Sequence, residues 1–544
     1  MGEIIMPTLE WIGKDKVVNH HMEVPYRVLE EQYTYNADRS ENMIIWGDNL
    51  EALKALLPRY EGKVKCIYID PPYNTGEEKW VYNDNVNEPH IREWLGEVVG
   101  KEGEDLSRHD KWLCMMYPRL KLLQKLLSND GIIAISIDDN EVFNLGLIMN
   151  EIFGAKNRLA CAPWLSEPSG GKEKTKLRNG HEYILIYTNG SIEGLSRDKR
   201  STGKLDLKDS FGKYRKGREL RKWGGTSQRE DRPNQWFGVT APDGTVVYPY
   251  KNDGTEGHWR WSTKNKGMQE ILRNPEYAHW EMCPYDEGIT VNGEGARWVP
   301  FEKIRDVKKS IGWATWLDKY GFNADATAEL KAIFGSKPFD TPKPVQLISW
   351  IVSLYDDDSE ETVVLDSFAG SGTTAHAVLN MNKTDGGHRK FILVEMMGYA
   401  ETITAERVKR VIDGYGQGKN AVEGTGGDFT FYDLGPILLL PNGNLNEDVG
   451  AAKIREYVYF METKASIEPG KADEPYYMGV HLDSAYYFYY EQDSLTTLSR
   501  DFLGSIKTKA GRYTIYADQC TLSQAELERW HITFKKIPRD ISKL

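Results

Sequence analysis

The chain has 544 residues, too many for one hydrophobic core, and roughly three or four domains are expected. Lys and Arg total 69 against 81 Asp and Glu, a formal net charge of -12, which excludes a global electrostatic footprint for nucleic acid and confines any polyanion site to a local patch. Five scattered cysteines (Cys66, Cys114, Cys161, Cys283 and Cys520) form no C-x-x-C pair, which argues against a disulfide framework and a zinc centre and for a reducing compartment.

Residues Met1 to Pro7 lack a basic region followed by an apolar core, and no stretch approaches the ~20 apolar residues of a membrane span, so a soluble cytoplasmic protein is expected. His20-His21 reads as a packing or surface pair, since no ligand set completes it. The apolar run Met43 to Trp46 ends in Gly47-Asp48-Asn49, Leu50 to Leu57 has helical spacing, and Val64 to Ile69 returns to strand character. This strand-helix-strand unit leaves Asp48 and Asp70 at its two strand ends. A second unit follows: Arg119 to Leu127 reads as a helix whose Leu120, Leu122, Leu123 and Leu126 face a core, Asn129-Asp130-Gly131 as a stop signal, and Ile132 to Ile137 as a buried strand. Its terminal carboxylates, Asp138-Asp139-Asn140-Glu141, read as strand-end residues and not as a Mg²⁺ site. Alternating elements of this kind predict a parallel sheet covered by helices on both faces.

From about Arg158 to Phe334 the texture shifts to Gly, Trp, Tyr and charge, which predicts an inserted domain. Within it, Arg197 to Arg232 holds 13 Arg and Lys against 6 Asp and Glu, a local balance of +7. Its cations Lys213, Arg215, Lys216, Arg218, Arg221 and Lys222 interleave with Tyr214 and Trp223, a pattern suited to phosphate contact and base-edge reading in DNA, with a solvated loop as the alternative. Regular patterning resumes with the strand Glu361 to Asp366, a tight loop Ser367 to Thr374, a helix Ala375 to Met381 and a strand Phe391 to Glu395. Beyond Asp428 come strand-like runs at Met478 to Leu482 and Tyr513 to Ala517, and the aromatic run Tyr486 to Tyr490, which reads as a buried strand.

Two constellations carry chemistry. Asp70-Pro71-Pro72-Tyr73 places a carboxylate, a carbonyl and an aromatic face at a strand's end, held by two prolines that fix φ and forbid helix. Such a site suits a planar amine: a purine stacked on Tyr73 gives its exocyclic N–H bonds to Asp70 and to the Pro71 carbonyl. Gly370-x-Gly372 follows one strand and opens a helix, and Glu395 ends the next strand, placed for ribose hydroxyls. No Lys-Ser/Thr pair follows the glycines, which disfavours a P-loop. S-adenosylmethionine and NAD compete as ligands of that loop, and the Asp70 motif favours the former.

Phe368-Ala-Gly-Ser-Gly-Thr-Thr374, preceded by Asp340-Thr-Pro-Lys-Pro344 and placed after Asp70-Pro-Pro-Tyr-Asn-Thr-Gly76, resembles the amino-group DNA methyltransferases of the permuted, β order. With Gly47-Asp-Asn-Leu-Glu-Ala-Leu53, the chain is most similar to the modification subunits of type III restriction-modification systems. The resemblance covers about residues 8–160 and 335–412, and is looser at His181 to Tyr187, Arg232-Pro-Asn234 and Ile537 to Ile541. It implies an α/β fold, a permuted, doubly wound, Rossmann-like methyltransferase sheet. Residues 1–157 and 335–427 would share that sheet, 158–334 would form an inserted α+β target-recognition domain, and 428–544 a small C-terminal α/β domain. Asp70, Pro71, Pro72 and Tyr73 would be catalytic. Asp366, Phe368, Ala369, Gly370, Gly372 and Thr373 would hold S-adenosylmethionine with help from Thr341 and Lys343, Glu395 would bind its ribose, and Asp48 would lie near its adenine. The Asp form of the motif implies adenine N6 over cytosine N4. Double-stranded DNA, a second copy of the chain and a separate helicase-nuclease subunit are the implied partners. A cytosine-N4 enzyme, a non-catalytic DNA-binding subunit of a defence complex and an NAD enzyme remain as alternatives.

Overall fold

Nine strands build the central sheet of the computed structural model, which describes residues 8–76, 89–100, 107–170, 177–190, 195–201, 204–305, 308–355 and 362–539. In chain order they are β1 (Arg27–Tyr35), β2 (Met43–Trp46), β3 (Val64–Ile69), β4 (Leu127–Ile137), β5 (Arg158–Leu165), β6 (His181–Thr188), β7 (Val363–Asp366), β8 (Lys390–Glu395) and β9 (Phe429–Ile437). In space the order is β1-β9-β2-β8-β7-β3-β4-β6-β5. The stretch from β9 to β4 is parallel throughout, and antiparallel strands close both edges.

The apolar runs explain this placement. Ile45, Ile67, Ile69, Ile133, Ile135, Ile392 and Val394 share one core with the helices Asn49–Tyr60 and Arg108–Leu126. The intervening Ile44, Cys66, Tyr68, Ala134 and Leu393 are equally buried, so both faces of the pleat are covered. The helices Val345–Ser353 and Thr373–Asp385 pack against each other and fall, with β7 and β8, in the later stretch of chain. Those two late strands slot between the early β2 and β3, which is the permuted, doubly wound α/β arrangement expected.

The described residues depart from the expected segmentation in three places. Arg197–Trp313 forms a compact unit of its own, narrower than residues 158–334, because β5 and β6 pair onto β4 in the main sheet. The helix Asn323–Phe334 likewise packs on the helix Glu406–Asp413 of the larger unit. At the other boundary β9, expected in the C-terminal domain, is a central strand between β1 and β2. The helix Arg108–Leu126 ends just before the expected stop signal Asn129-Asp-Gly131, but β4 starts earlier than expected, so that these residues form a bulge between the pairs Val64–Leu127 and Cys66–Ile132. A Cβ on Gly131 would lie 3.0 Å from the Lys65 carbonyl oxygen, which explains glycine there. Glu361, Met1 to Pro7 and the tail beyond Arg539 lie outside the described residues.

The unit Arg197–Trp313 is α+β: Ala278–Pro284, Ala296–Ile304, Gly212–Glu219 and Leu207–Asp209 form an antiparallel sheet, and a core of Leu220, Val239, Trp259, Met268 and Ile271 involves the helix Lys266–Arg273. After β9, the strands Tyr477–His481, Ser484–Phe488, Arg512–Ala517 and Ile532–Lys536 make a further sheet. The aromatic run supplies that sheet's interior through Tyr487, Phe488 and Tyr490. Arg59 reaches from the helix Asn49–Tyr60 to both carboxylate oxygens of Glu456, tying this segment to the main sheet. His21 is buried, and His20 Nε2 accepts a hydrogen bond from the Trp94 indole. Among the described residues no helix is long and apolar enough to cross a membrane.

Leu120, fully buried under the sheet, tests the core. Its truncation in Leu120→Ala is expected to destabilise the chain by about 2–5 kcal/mol. Chemical denaturation followed by circular dichroism measures this, and an unchanged midpoint would contradict the packing.

Candidate active site

Leu365 of β7 pairs with Ile67 of β3, so the two strands end side by side and release the Ser367 and Pro71 turns at the same edge. Pro71 and Pro72 extend the chain, and Asn74 then adopts a left-handed φ of 59°. The Pro72 carbonyl accepts a 2.6 Å hydrogen bond from the Trp112 indole, while the Asn74 amide donates to the fully buried Glu141 carboxylate. Glu141 also bonds His109 Nδ1 at 2.6 Å. The turn is therefore clamped on both sides, by the helix Arg108–Leu126 and by Glu141 at the start of the helix Val142–Met149.

Asp70 is 8% exposed, and the Lys343 ammonium donates to its Oδ2 at 2.9 Å. The same ammonium lies 3.6 Å from Glu182 Oε2 and 4.9 Å from the centroid of the Tyr73 ring. Tyr73 donates its hydroxyl to Glu182 Oε2 at 2.7 Å. Burial alone would depress the Lys343 pKa, but the Asp70 and Glu182 carboxylates outweigh it and raise the pKa above the usual lysine value.

The glycine loop is built just as tightly. Gly370 and Gly372 have φ of 52° and 80°, and a Cβ would lie 3.2 Å from the Phe339 ring at the first and 3.0 Å from the Thr404 carbonyl oxygen at the second. Asp366 accepts from the Phe368 amide at 3.0 Å and from the Thr374 hydroxyl at 2.5 Å. Glu395, wholly buried, accepts from the Gly370 amide at 2.8 Å and the Met397 amide at 2.9 Å. Arg407, also wholly buried, donates to the hydroxyls of Ser371 and Thr373, each at 2.8 Å.

One cavity joins the two motifs, with Asp70, Thr341, Lys343, Asp366, Phe368, Ala369, Gly370 and Thr373 all on its wall. Ser371 of the glycine loop lines it too, as does Phe339, which the sequence does not single out. Six expected residues are not on the wall: Pro71, Pro72, Gly372, Tyr73, Glu395 and Asp48. Tyr73 meets it through Lys343; Glu395 spends its carboxylate on loop amides; and Asp48 caps the helix Asn49–Tyr60, accepting from the Leu50 and Glu51 amides. Its neighbour Asn49 is the one that touches the loop, donating to the Ser367 carbonyl at 3.3 Å. The sequence assigns no role to Asn49, Glu182 or Arg407, because their partners lie more than thirty residues away along the chain.

The basic stretch divides in the structure. Lys213 and Arg218 are exposed, Lys216 is exposed but bonded to both Glu281 oxygens at 2.7 Å, and Arg215 and Lys222 are half-buried. Arg221 is buried, bonded to Glu219, the Tyr250 carbonyl and Asn252, and stacked 4.3 Å from Trp223, so it braces the unit from within.

Residues 64–406 match the family described as DNA methylase. The chain is similar to the Mod subunit of the type III restriction-modification enzyme EcoPI of Escherichia phage P1, 33% identical over 71% of this chain and 63% of that protein. It is also similar to the type II methyltransferase M.KpnI of Klebsiella pneumoniae, 33% identical over 68% of this chain and 85% of that protein. A third relative is the type III StyLTI Mod subunit of Salmonella typhimurium, 31% identical over 74% of this chain and 62% of that protein. The chain thus spans less than two thirds of the length of these two Mod subunits.

Burial pushes Asp366 up to about 7. Between the ordinary carboxylate range and that value the folded chain keeps a proton that the unfolded chain releases, so this residue's contribution to stability is present in acid and is lost as pH rises towards 7. Asp366→Asn is therefore expected to gain melting temperature relative to the parent chain from about pH 4 to about pH 7 and to level off above. Thermal melts across that window check this; a difference that does not vary with pH would contradict it.

Proposed function

Since this chain belongs to the DNA methylase family, we propose that it transfers a methyl group from S-adenosylmethionine to the N6 amino group of adenine in double-stranded DNA. The observation that carries this reading is the shared cavity, which puts the Asp70 carboxylate and the Gly370 turn on one wall. The lining fits the methyl donor: Phe339 and Phe368 offer apolar rings to its adenine, and the hydroxyls of Thr341, Ser371 and Thr373 suit its polar tail. When bound there, S-adenosylmethionine supplies an electrophilic sulfonium methyl.

The chain's own residues deal with the acceptor. An aromatic amine delocalises its lone pair into the ring and is a poor nucleophile. Asp70 and the Pro71 carbonyl, as acceptors for its two N–H bonds, localise that pair and aim it, which is positioning and electrostatic catalysis. Asp70 need not remove a proton before attack. Because N6 is paired inside a duplex, the base has to be flipped out, and stacking on Tyr73 offsets the few kcal/mol that this costs. Lys213 and Arg218, exposed on the strand Gly212–Glu219, are the proposed phosphate contacts. Likeness to Mod subunits supports a role as the modification subunit of a type III-like system; a homodimer and a separate helicase-nuclease partner are part of the same proposal.

Labelled methyl transfer followed by nucleoside analysis tests the reading. N6-methyladenine is expected; N4-methylcytosine would overturn the choice of base, and unlabelled DNA the whole reading. Tyr73→Ala should lower kcat about ten-fold or more through the lost stacking while leaving cofactor affinity nearly intact. Equal losses in turnover and in cofactor titration would contradict that assignment. Joint replacement of Lys213 and Arg218 by Glu should weaken DNA binding and flatten its log-log salt slope by about 2; an unchanged slope would remove them from the interface.

A further inference from the structure

Lys343 sits where the target amine has to go. Its ammonium holds Asp70 Oδ2 at 2.9 Å and lies 4.9 Å from the Tyr73 centroid, so it occupies both the acceptor and the aromatic face that the proposed function assigns to the base. It is 7% exposed, too buried to be set free without another anion to receive it. That anion is present: Glu182 Oε2 is 3.6 Å from the same ammonium. Glu182 lies near the start of β6, on the antiparallel extension of the sheet, and also accepts the Tyr73 hydroxyl.

We propose that Lys343 is a place-holder cation that swings from Asp70 to Glu182 when the target base arrives, which makes Glu182 a positioning residue for methyl transfer. The inference rests on the methyltransferase reading above. Three physical points support it. A buried carboxylate kept ready for a neutral donor needs a counter-ion until that donor comes, and Lys343 provides one. An ammonium left on Asp70 would compete with the amine's N–H for the same lone pairs and weaken the acceptor that localises the nitrogen pair. Finally, the cation-facing side of Tyr73 can stack a base only after the cation has moved, and the 3.6 Å gap to Glu182 sets that movement at about a hydrogen-bond rearrangement, without any backbone shift.

The test uses the full chain with DNA containing its mapped target, plus a second duplex with 2-aminopurine at the target adenine to report unstacking. Glu182→Gln, which keeps shape but not charge, should lower kcat about ten-fold or more and shrink the fluorescence rise on DNA binding without cofactor. Affinity for S-adenosylhomocysteine should stay within about two-fold, because the donor side of the cavity is untouched. Glu182→Asp should recover much of both losses. In a Lys343→Met background Glu182→Gln should cost nothing further, since no cation remains to be parked. A Glu182→Gln loss that persists undiminished in that background would overturn the swing and leave Glu182 as an anchor for the Tyr73 hydroxyl. If Glu182→Gln does not fold, Lys343→Met alone decides: a fluorescence rise at least equal to the parent chain supports the swing, and a smaller one overturns it. A parent chain that transfers no methyl group would sink the underlying reading; a parent chain that does, with Glu182→Gln at full kcat, would sink only this inference.

Discussion

The pairing of β7 with β3 is the constraint on which the rest depends. Parallel neighbours in a doubly wound sheet release their loops at the same edge, so two motifs some three hundred residues apart in the chain emerge within one cavity. Neither loop would hold its form alone. The Asp70 turn is clamped by Trp112 and Glu141, and the glycine turn by Asp366, Glu395 and Arg407, all buried. Rigid loops of this kind suit a reaction governed by alignment, where an error of an ångström is costly.

Electrostatics organises the same edge of the sheet. Asp70, Glu182, Asp366 and Glu395 all lie at or near strand ends, and each is provided with donors: the Lys343 ammonium, the Tyr73 hydroxyl, the Thr374 hydroxyl or backbone amides. Asp366 and Glu395 shape the loop, whereas Asp70 faces the cavity with a cation on it. The division follows from what each anion is paired with. A carboxylate bonded to backbone amides cannot release them without unfolding the turn, while one held by a flexible lysine can exchange its partner.

Much of this was legible in the sequence for identifiable reasons. The central strands are continuous apolar runs because both faces are covered, and such runs stand out without an alignment. Asp70-Pro-Pro-Tyr73 and the paired glycines declare themselves because proline and glycine restrict the backbone locally. The legibility ended where geometry is set by distant partners. β5 and β6 carry polar and aromatic residues such as His181, Glu182 and Tyr183 at their outer ends, so they resembled insert texture although they extend the sheet. Arg221 looked like a phosphate ligand because charge can be counted in a sequence, whereas its bonds to Glu219 and Asn252 cannot. Glu395 ended its strand as expected, yet nothing in its position revealed that loop amides already claim its oxygens.

The strand order also bears on how the chain matures on the ribosome. β2 gains its two flanking strands only from β8, ending at Glu395, and β9, ending at Ile437, so β1 stays unpaired and β2 keeps an open hydrogen-bonding edge until the chain has been made as far as Ile437. Open edges of this kind are sticky to other nascent chains. Closure of this sheet therefore waits for strands that follow β2 by more than three hundred residues, and throughout that interval the N-terminal edges need shielding.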